Sequence, residues 1–286
     1  MKKLVLSIIS LLVIFAMTAC AEKDLSKDKT AEEILEASIN ASAKWENYEM
    51  GIESQIEMDV PQQGKMKMNM QGSGTVFVNP MKMHMKMDVE IQDMEQNQSI
   101  DQYMMQEGDT FVIYQNTEGQ WYKIVLDDPG LMEMISMDPM ENVQLFLKYL
   151  THAEIVGEEV IDKRNTVKID MTVSFEMYKE LLEKNQALDI TGILGTGVID
   201  KLSNIGDFTY TIWIDKENLE TVKYYMDLSK PMAGIGDAMA GGDIPAELTE
   251  IYKNMKMDLT MTISNQNKSK DFELPAEALT AQEITF

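Results

Sequence analysis

Cysteine is almost absent from the 286-residue chain, which has one, Cys20, alongside two histidines. A single cysteine excludes an internal disulfide framework, and two histidines leave little for a zinc or thiolate centre. Basic residues are also in deficit, with 25 Lys and Arg against 48 Asp and Glu and a net charge of −23. That balance excludes nucleic acid as a partner, because phosphate binding draws on clustered Lys and Arg. No H-E-x-x-H, G-x-S-x-G or P-loop lysine motif occurs. Gly192, Gly195 and Gly197 stand in the wrong order for a dinucleotide fingerprint and follow a predicted helix. Asp215 to Asn218 lacks the ligand run and central glycine of a calcium loop. The pairs Asp127/Asp128 and Glu158/Glu159 read as solvated surface, and His152 as a structural histidine. The residues therefore point to no enzyme, no cofactor and no metal site. At 44% apolar and 26% charged residues the chain is globular, with length for one or two domains.

The first twenty residues carry an address. Lys2 and Lys3 precede a nearly unbroken apolar run from Leu4 to Met17, and Thr18 and Ala19 lead into Cys20. About 14 apolar residues are too few to span a bilayer, so the run reads as a secretory signal. Small residues before a cysteine at the end of such a run resemble a bacterial lipobox, although Met17 stands where leucine is usual. On this reading residues 1–19 are removed and Cys20 carries a diacylglycerol. Its acyl chains anchor the protein to the outer, extracytoplasmic face of the cell membrane, where two chains hold and one is marginal. Residues 20–29 then read as a polar tether and 30–286 as one domain.

Thr30 and Glu33 form a capping box, predicting a helix to about Trp45. Period-2 alternation follows, predicting strands over 48–60, 65–78 and 81–91 with turns at 61–64 and 79–80. Further strands are predicted over 99–105, 110–115, 120–126, 153–161, 165–174, 207–215, 219–228 and 252–264. Helices are predicted over 138–150, with Pro139 at the first helical position, and over 175–187. The stretches 188–206 and 229–245 read as loops able to gate a site, the second as a mobile one. No composition break demands two domains, and a strongly curved antiparallel sheet with a few helices uses the whole chain.

Methionine is abundant, at 26 residues. Met66, Met68 and Met70 share one strand face; Met81, Met83, Met85 and Met87 share another; Met255, Met257 and Met261 share a third. If these strands pair, the faces merge. Methionine is unbranched and polarizable and suits adaptable binding surfaces. The face is then packed core, a hydrophobic ligand cavity, or a soft-metal site, since thioethers favour Cu(I). Alternate residues on a strand lie about 7 Å apart, too far for neighbours to chelate one ion, and His84 is expected on the opposite face from Met83 and Met85.

The lipobox cysteine, N-terminal helix and methionine-rich meander are followed by GQWYKI (Gly119–Ile124), YTIWIDKENL (Tyr210–Leu219) and LPAE (Leu274–Glu277). Together these resemble an uncharacterised family of Gram-positive lipoproteins similar to the LolA/LppX group. The resemblance implies an α+β fold, an incomplete barrel of about eleven antiparallel strands with helices covering the concave face. It also implies an apolar cavity for acyl chains. The ten methionines named above are the candidate liners. A cell-surface sensory or interaction module on the same scaffold, with envelope proteins as partners and the methionine face as core, is the alternative.

Overall fold

The computed structural model describes residues 23–61, 64–92, 96–108, 110–126, 145–177, 179–180, 205–240 and 245–284. Helix α1 (Ala31–Ser42) opens the fold with the expected capping box. The Glu33 amide donates to Thr30 Oγ1 at 3.3 Å, and the Thr30 amide donates to Glu33 Oε2 at 2.9 Å. Two helix-terminal donors are satisfied reciprocally.

Six strands follow: β1 (Asn47–Val60), β2 (Gly64–Phe77), β3 (Lys82–Ile91), β4 (Gln96–Glu107), β5 (Thr110–Thr117) and β6 (Gln120–Leu126). They form a meander, each pairing with the next. Strands β7 (Leu150–Ile161), β8 (Arg164–Val173), β9 (Phe208–Asp215) and β10 (Thr221–Asp227) form a second meander. Strand β11 (Lys256–Ser264) joins the two by pairing with both β10 and β1. A short β12 (Gln282–Ile284) adds to β6 in the parallel sense. The result is one open sheet of order β12-β6-β5-β4-β3-β2-β1-β11-β10-β9-β8-β7. Among the described residues it has twelve strands where about eleven were expected; three residues of β12 are too few to show a period.

The alternation fixes the register. Met58 faces Met66, Ile56 faces both Met68 and Met257, and Ile52 faces Met261. Val76 faces Met83, which faces Met104 in turn. One face of the sheet thus carries most of the apolar residues of β1–β3 and β8–β11, while Gln98 and Gln102 of β4 and Gln115 of β5 interrupt it. On its β7–β10 half it is covered by α1, whose Ile34 and Leu35 pack with Val167, Ile169, Ile212 and Ile214 in the main core. The opposite face is largely polar, apart from Phe77, Trp213 and Tyr225 and an apolar patch over β4–β6. There the C-terminal segment lays Phe272, Leu274 and Ala278 on Tyr103, Val112 and Tyr114.

Residues 229–245, expected as a mobile loop, contain helix α2 (Ser229–Met239), and α3 (Ala246–Asn254) occupies the expected start of the last strand. Gly234 and Gly236 weaken the helical signal by about 1 kcal/mol each relative to Ala. Packing overrides that deficit: a Cβ on Gly236 would lie 2.7 Å from the Lys253 amide nitrogen of α3, and one on Gly234 2.7 Å from Ile205 Cα. The predicted helix over 138–150 is seen as helical residues 145–149, and β7 begins at Leu150 rather than 153. The rest of that helix, residues 181–187 and the 188–204 part of the predicted loop lie outside the described residues.

Candidate functional site

The apolar face encloses a cavity of about 790 Å³, within the range of small-ligand sites. Phe111 of β5 and Met171 of β8 both line it. Eight strand spacings separate those strands in the sheet, about 38 Å if it were flat. The sheet therefore curls strongly, and the cavity occupies its concave side. Gly74 on this face helps the curl, because a Cβ there would lie 2.3 Å from the His84 carbonyl oxygen on β3. Strand glycines often mark such bends.

The floor is Tyr48, Val76, Met261 and Ile263 from the central strands. One wall is Met171, Tyr210, Tyr224 and Met226. Ser42 and Trp45, at and beyond the end of α1, supply the roof, with Phe146 and Met177 at its inner end. Trp45 Nε1 donates to Glu220 Oε1 at 3.3 Å, tying this roof to the β9–β10 turn. Three lining residues are exposed, Val78, Asn79 and Gln106, and they mark the mouth.

Among the described residues, no Asp, Glu, Lys, Arg or His lines the cavity. Its titratable side chains are tyrosines. Burial pushes the Tyr48 phenol up, and neighbouring Tyr224 adds to the effect. Burial likewise raises Tyr224, partly offset by hydrogen bonding with Thr221. Both stay neutral at physiological pH. An uncharged cavity of this kind discriminates by shape and apolar area, and a charged group placed in it would lose its hydration without a counter-ion.

Of the predicted liners, the structure brings Met81 and Met261 to the cavity. Met66, Met68, Met70, Met83, Met85, Met87 and Met257 share its sheet face by register but lie beyond it. Met85 among them is buried in packing, at 3% exposure. Met255 sits at the C-cap of α3 rather than in a strand. Met171, Tyr224 and Met226 were not singled out, although the alternation over 165–174 and 219–228 places them on apolar faces. His84 points away from the methionine face, as expected: its ring stacks on Tyr103 with centroids 4.1 Å apart, and Nε2 lies 2.7 Å from Asp101 Oδ1. Cys20 lies outside the described residues. Among the described residues, no helix is long and apolar enough to cross a membrane.

Fold and cavity together define an open, strongly curved α+β sheet wrapped around an apolar chamber. Residues 30–283 match the model of a family described as "Family of unknown function (DUF6612)", and the chain belongs to that family. No curated protein matches the sequence significantly. Among solved structures, the chain is similar to the lipoprotein LppX of Mycobacterium tuberculosis, at 14% identity and a TM-score of 0.45, over 85% of this chain and 98% of that one. It is also similar to LprF of Mycobacterium bovis, at 13% identity and a TM-score of 0.41, over 86% and 97% of the two chains. A LolA-superfamily protein of Nitrosomonas europaea matches at 10% identity and a TM-score of 0.21, over 88% and 98%.

Proposed function

We propose that this chain is an extracytoplasmic lipoprotein, anchored through Cys20 to the outer face of the cell membrane, that holds a lipid or other hydrophobic ligand. The observation that carries this reading is the cavity of about 790 Å³ with no charged side chain among its described lining residues. Binding needs no reaction. Burial of each methylene contributes about 0.8 kcal/mol, so a chain of about 14 carbons supplies up to about 10 kcal/mol before the costs of association. Met81, Met171, Met226 and Met261 line the site, and methionine adapts to chains of different shape. The methionines beyond the cavity extend the same apolar face.

The test is native mass spectrometry of residues 21–286, made without the acyl anchor and purified without detergent. An adduct of lipid mass, released on denaturation, is the expected result. A bare mass that stays bare after incubation with membrane lipid would overturn the reading and favour the alternative of a protein-interaction module.

A further inference from the structure

We propose that the cavity mouth faces the bilayer that carries the anchor, and that the docked segment Asp24–Ser26 sets this orientation. The proposal rests on the anchoring of Cys20 and goes beyond it.

The antiparallel registers place one set of turns at a common end of the sheet, termed the upper rim. It comprises the β9–β10 turn at 216–220, the start of β1, the β2–β3 turn at 78–81 and the β4–β5 turn. The exposed lining residues Val78, Asn79 and Gln106 all lie on this rim. Toward the other end, the cavity closes on Met171 and Met177, both buried. The mouth thus opens at the upper rim.

The N-terminal segment is fastened to the same rim. The Leu25 amide donates to the Lys216 carbonyl at 2.7 Å. Lys216 Nζ reaches Asp24 at 2.9 Å and Glu158 at 2.7 Å. Asp24 in turn accepts from the Ser26 hydroxyl at 2.6 Å, and Ser26 is buried. The described part of the expected 20–29 tether is therefore docked on the domain. The span from Cys20 to Asp24 reaches at most about 14 Å even fully extended. Four strand spacings separate β9 from β2, about 19 Å along the sheet. A leash that short, fixed at that rim, keeps the mouth near the headgroups and the opposite rim away from them. Exposed Lys44, Lys163, Lys268 and Lys270 sit at this rim, among the exposed acids Glu46, Glu107, Asp162, Glu217 and Asp271. The strongly negative net charge of the chain is thus not concentrated where the membrane would lie. An acyl chain then passes between bilayer and cavity without crossing bulk water.

The experiment uses the full lipidated chain in phosphatidylglycerol and phosphatidylethanolamine vesicles that carry a headgroup quencher. A fluorophore is attached through Glu107→Cys, beside the mouth, or through Gln120→Cys, at the opposite rim. Flotation with the vesicles establishes anchoring. Quenching several-fold stronger at position 107 than at 120 is the expected result. A Gly/Ser spacer of about 20 residues between Lys23 and Asp24, reaching about 25 Å, is expected to abolish the difference. Equal or reversed quenching on floated protein would overturn the orientation, and a difference that survives the spacer would overturn the role of the docked segment. Failure to float would sink the anchoring reading and the orientation with it. The quenching contrast does not depend on whether the cavity is loaded, so it is separable from the mass-spectrometric test of lipid binding.

Discussion

Ser38 Oγ lies 2.8 Å from Thr221 Oγ1, a hydrogen bond that joins α1 to the first residue of β10. Both residues are almost fully buried, at 1% and 2% exposure. The bond fixes α1 over the apolar face and so sets the roof of the cavity. Truncating either partner removes this bond, and truncating Thr221 also takes a partner from the buried Tyr224 phenol. Ser38→Ala is expected to cost about 1–2 kcal/mol of stability. The double variant Ser38→Ala with Thr221→Val is expected to cost less than the sum of the two single changes. Urea unfolding of the four proteins measures this directly; strict additivity would mean that the hydroxyls do not interact.

The Asp24–Lys216 contact makes docking of the N-terminal segment dependent on pH. Partial burial pushes the Asp24 carboxyl up, but hydrogen bonds from Ser26 and Lys216 outweigh it and hold it below its ordinary value. Hydrogen bonds to Glu158 and Asp24 hold the Lys216 ammonium above its ordinary value. The stabilisation from Asp24 is present above about pH 3.9 and is lost as pH falls through the lowered value. That from Lys216 is present below about pH 10.4 and is lost as pH rises through the raised one. Docking should therefore hold across the whole neutral range and fail in strong acid. Lys216→Ala should release the segment at neutral pH, seen as several-fold faster tryptic cleavage after Lys27 and Lys29. Unchanged cleavage would show that the Leu25 backbone bond suffices.

The sheet was readable in the sequence because a strand with one buried face must alternate. Ile52, Ile56, Met66 and Met68 all fall on the side the alternation predicts. The capping box at Thr30 and Glu33 was equally legible, since it is a contact between residues three apart. Position within the face was not. Met68 and Met81 belong to the same apolar pattern, but only Met81 reaches the cavity. What separates them is the curl of the sheet and the placement of α1, both set by contacts distant in sequence. The tether misled for the same reason: Asp24 looks solvated until Lys216 is brought to it. Helix α2 was obscured because its glycines serve close packing rather than a turn.

Curvature at β2 depends on Gly74. A methyl group there would lie 2.3 Å from the His84 carbonyl and 3.0 Å from Met85 Cα, both backbone atoms of β3. Backbone cannot yield as a flexible side chain can, so the two strands would have to separate. Gly74→Ala is expected to destabilise the protein by about 1–3 kcal/mol, as overpacked sites do. The same change at Gly72, nearest to the flexible Met87 side chain at 3.0 Å, should cost less. Thermal unfolding of both variants checks the order; equal losses would mean that curvature is not focused at Gly74.

The uncharged character of the described cavity lining predicts how affinity scales with the ligand. Every methylene that enters replaces water contacts with Met, Phe and Val surface, a gain of about 0.8 kcal/mol. Removing one methylene should then weaken binding about fourfold, and removing two about fifteenfold. A cavity of about 790 Å³ lies in the upper part of the size range of small-ligand sites. The gain should accordingly persist through common acyl lengths rather than stop at a short chain. A series of straight-chain alcohols, read by displacement of a fluorescent fatty probe, measures the slope. Fatty acids of matched length should bind more weakly wherever the carboxylate is drawn inside, since no cation stands among the described residues of the wall to receive it. Met81→Glu, adding a negative charge near the mouth, should widen that gap between acid and alcohol. A slope near zero, or a preference for the acids, would mean that the chains bind elsewhere on the protein.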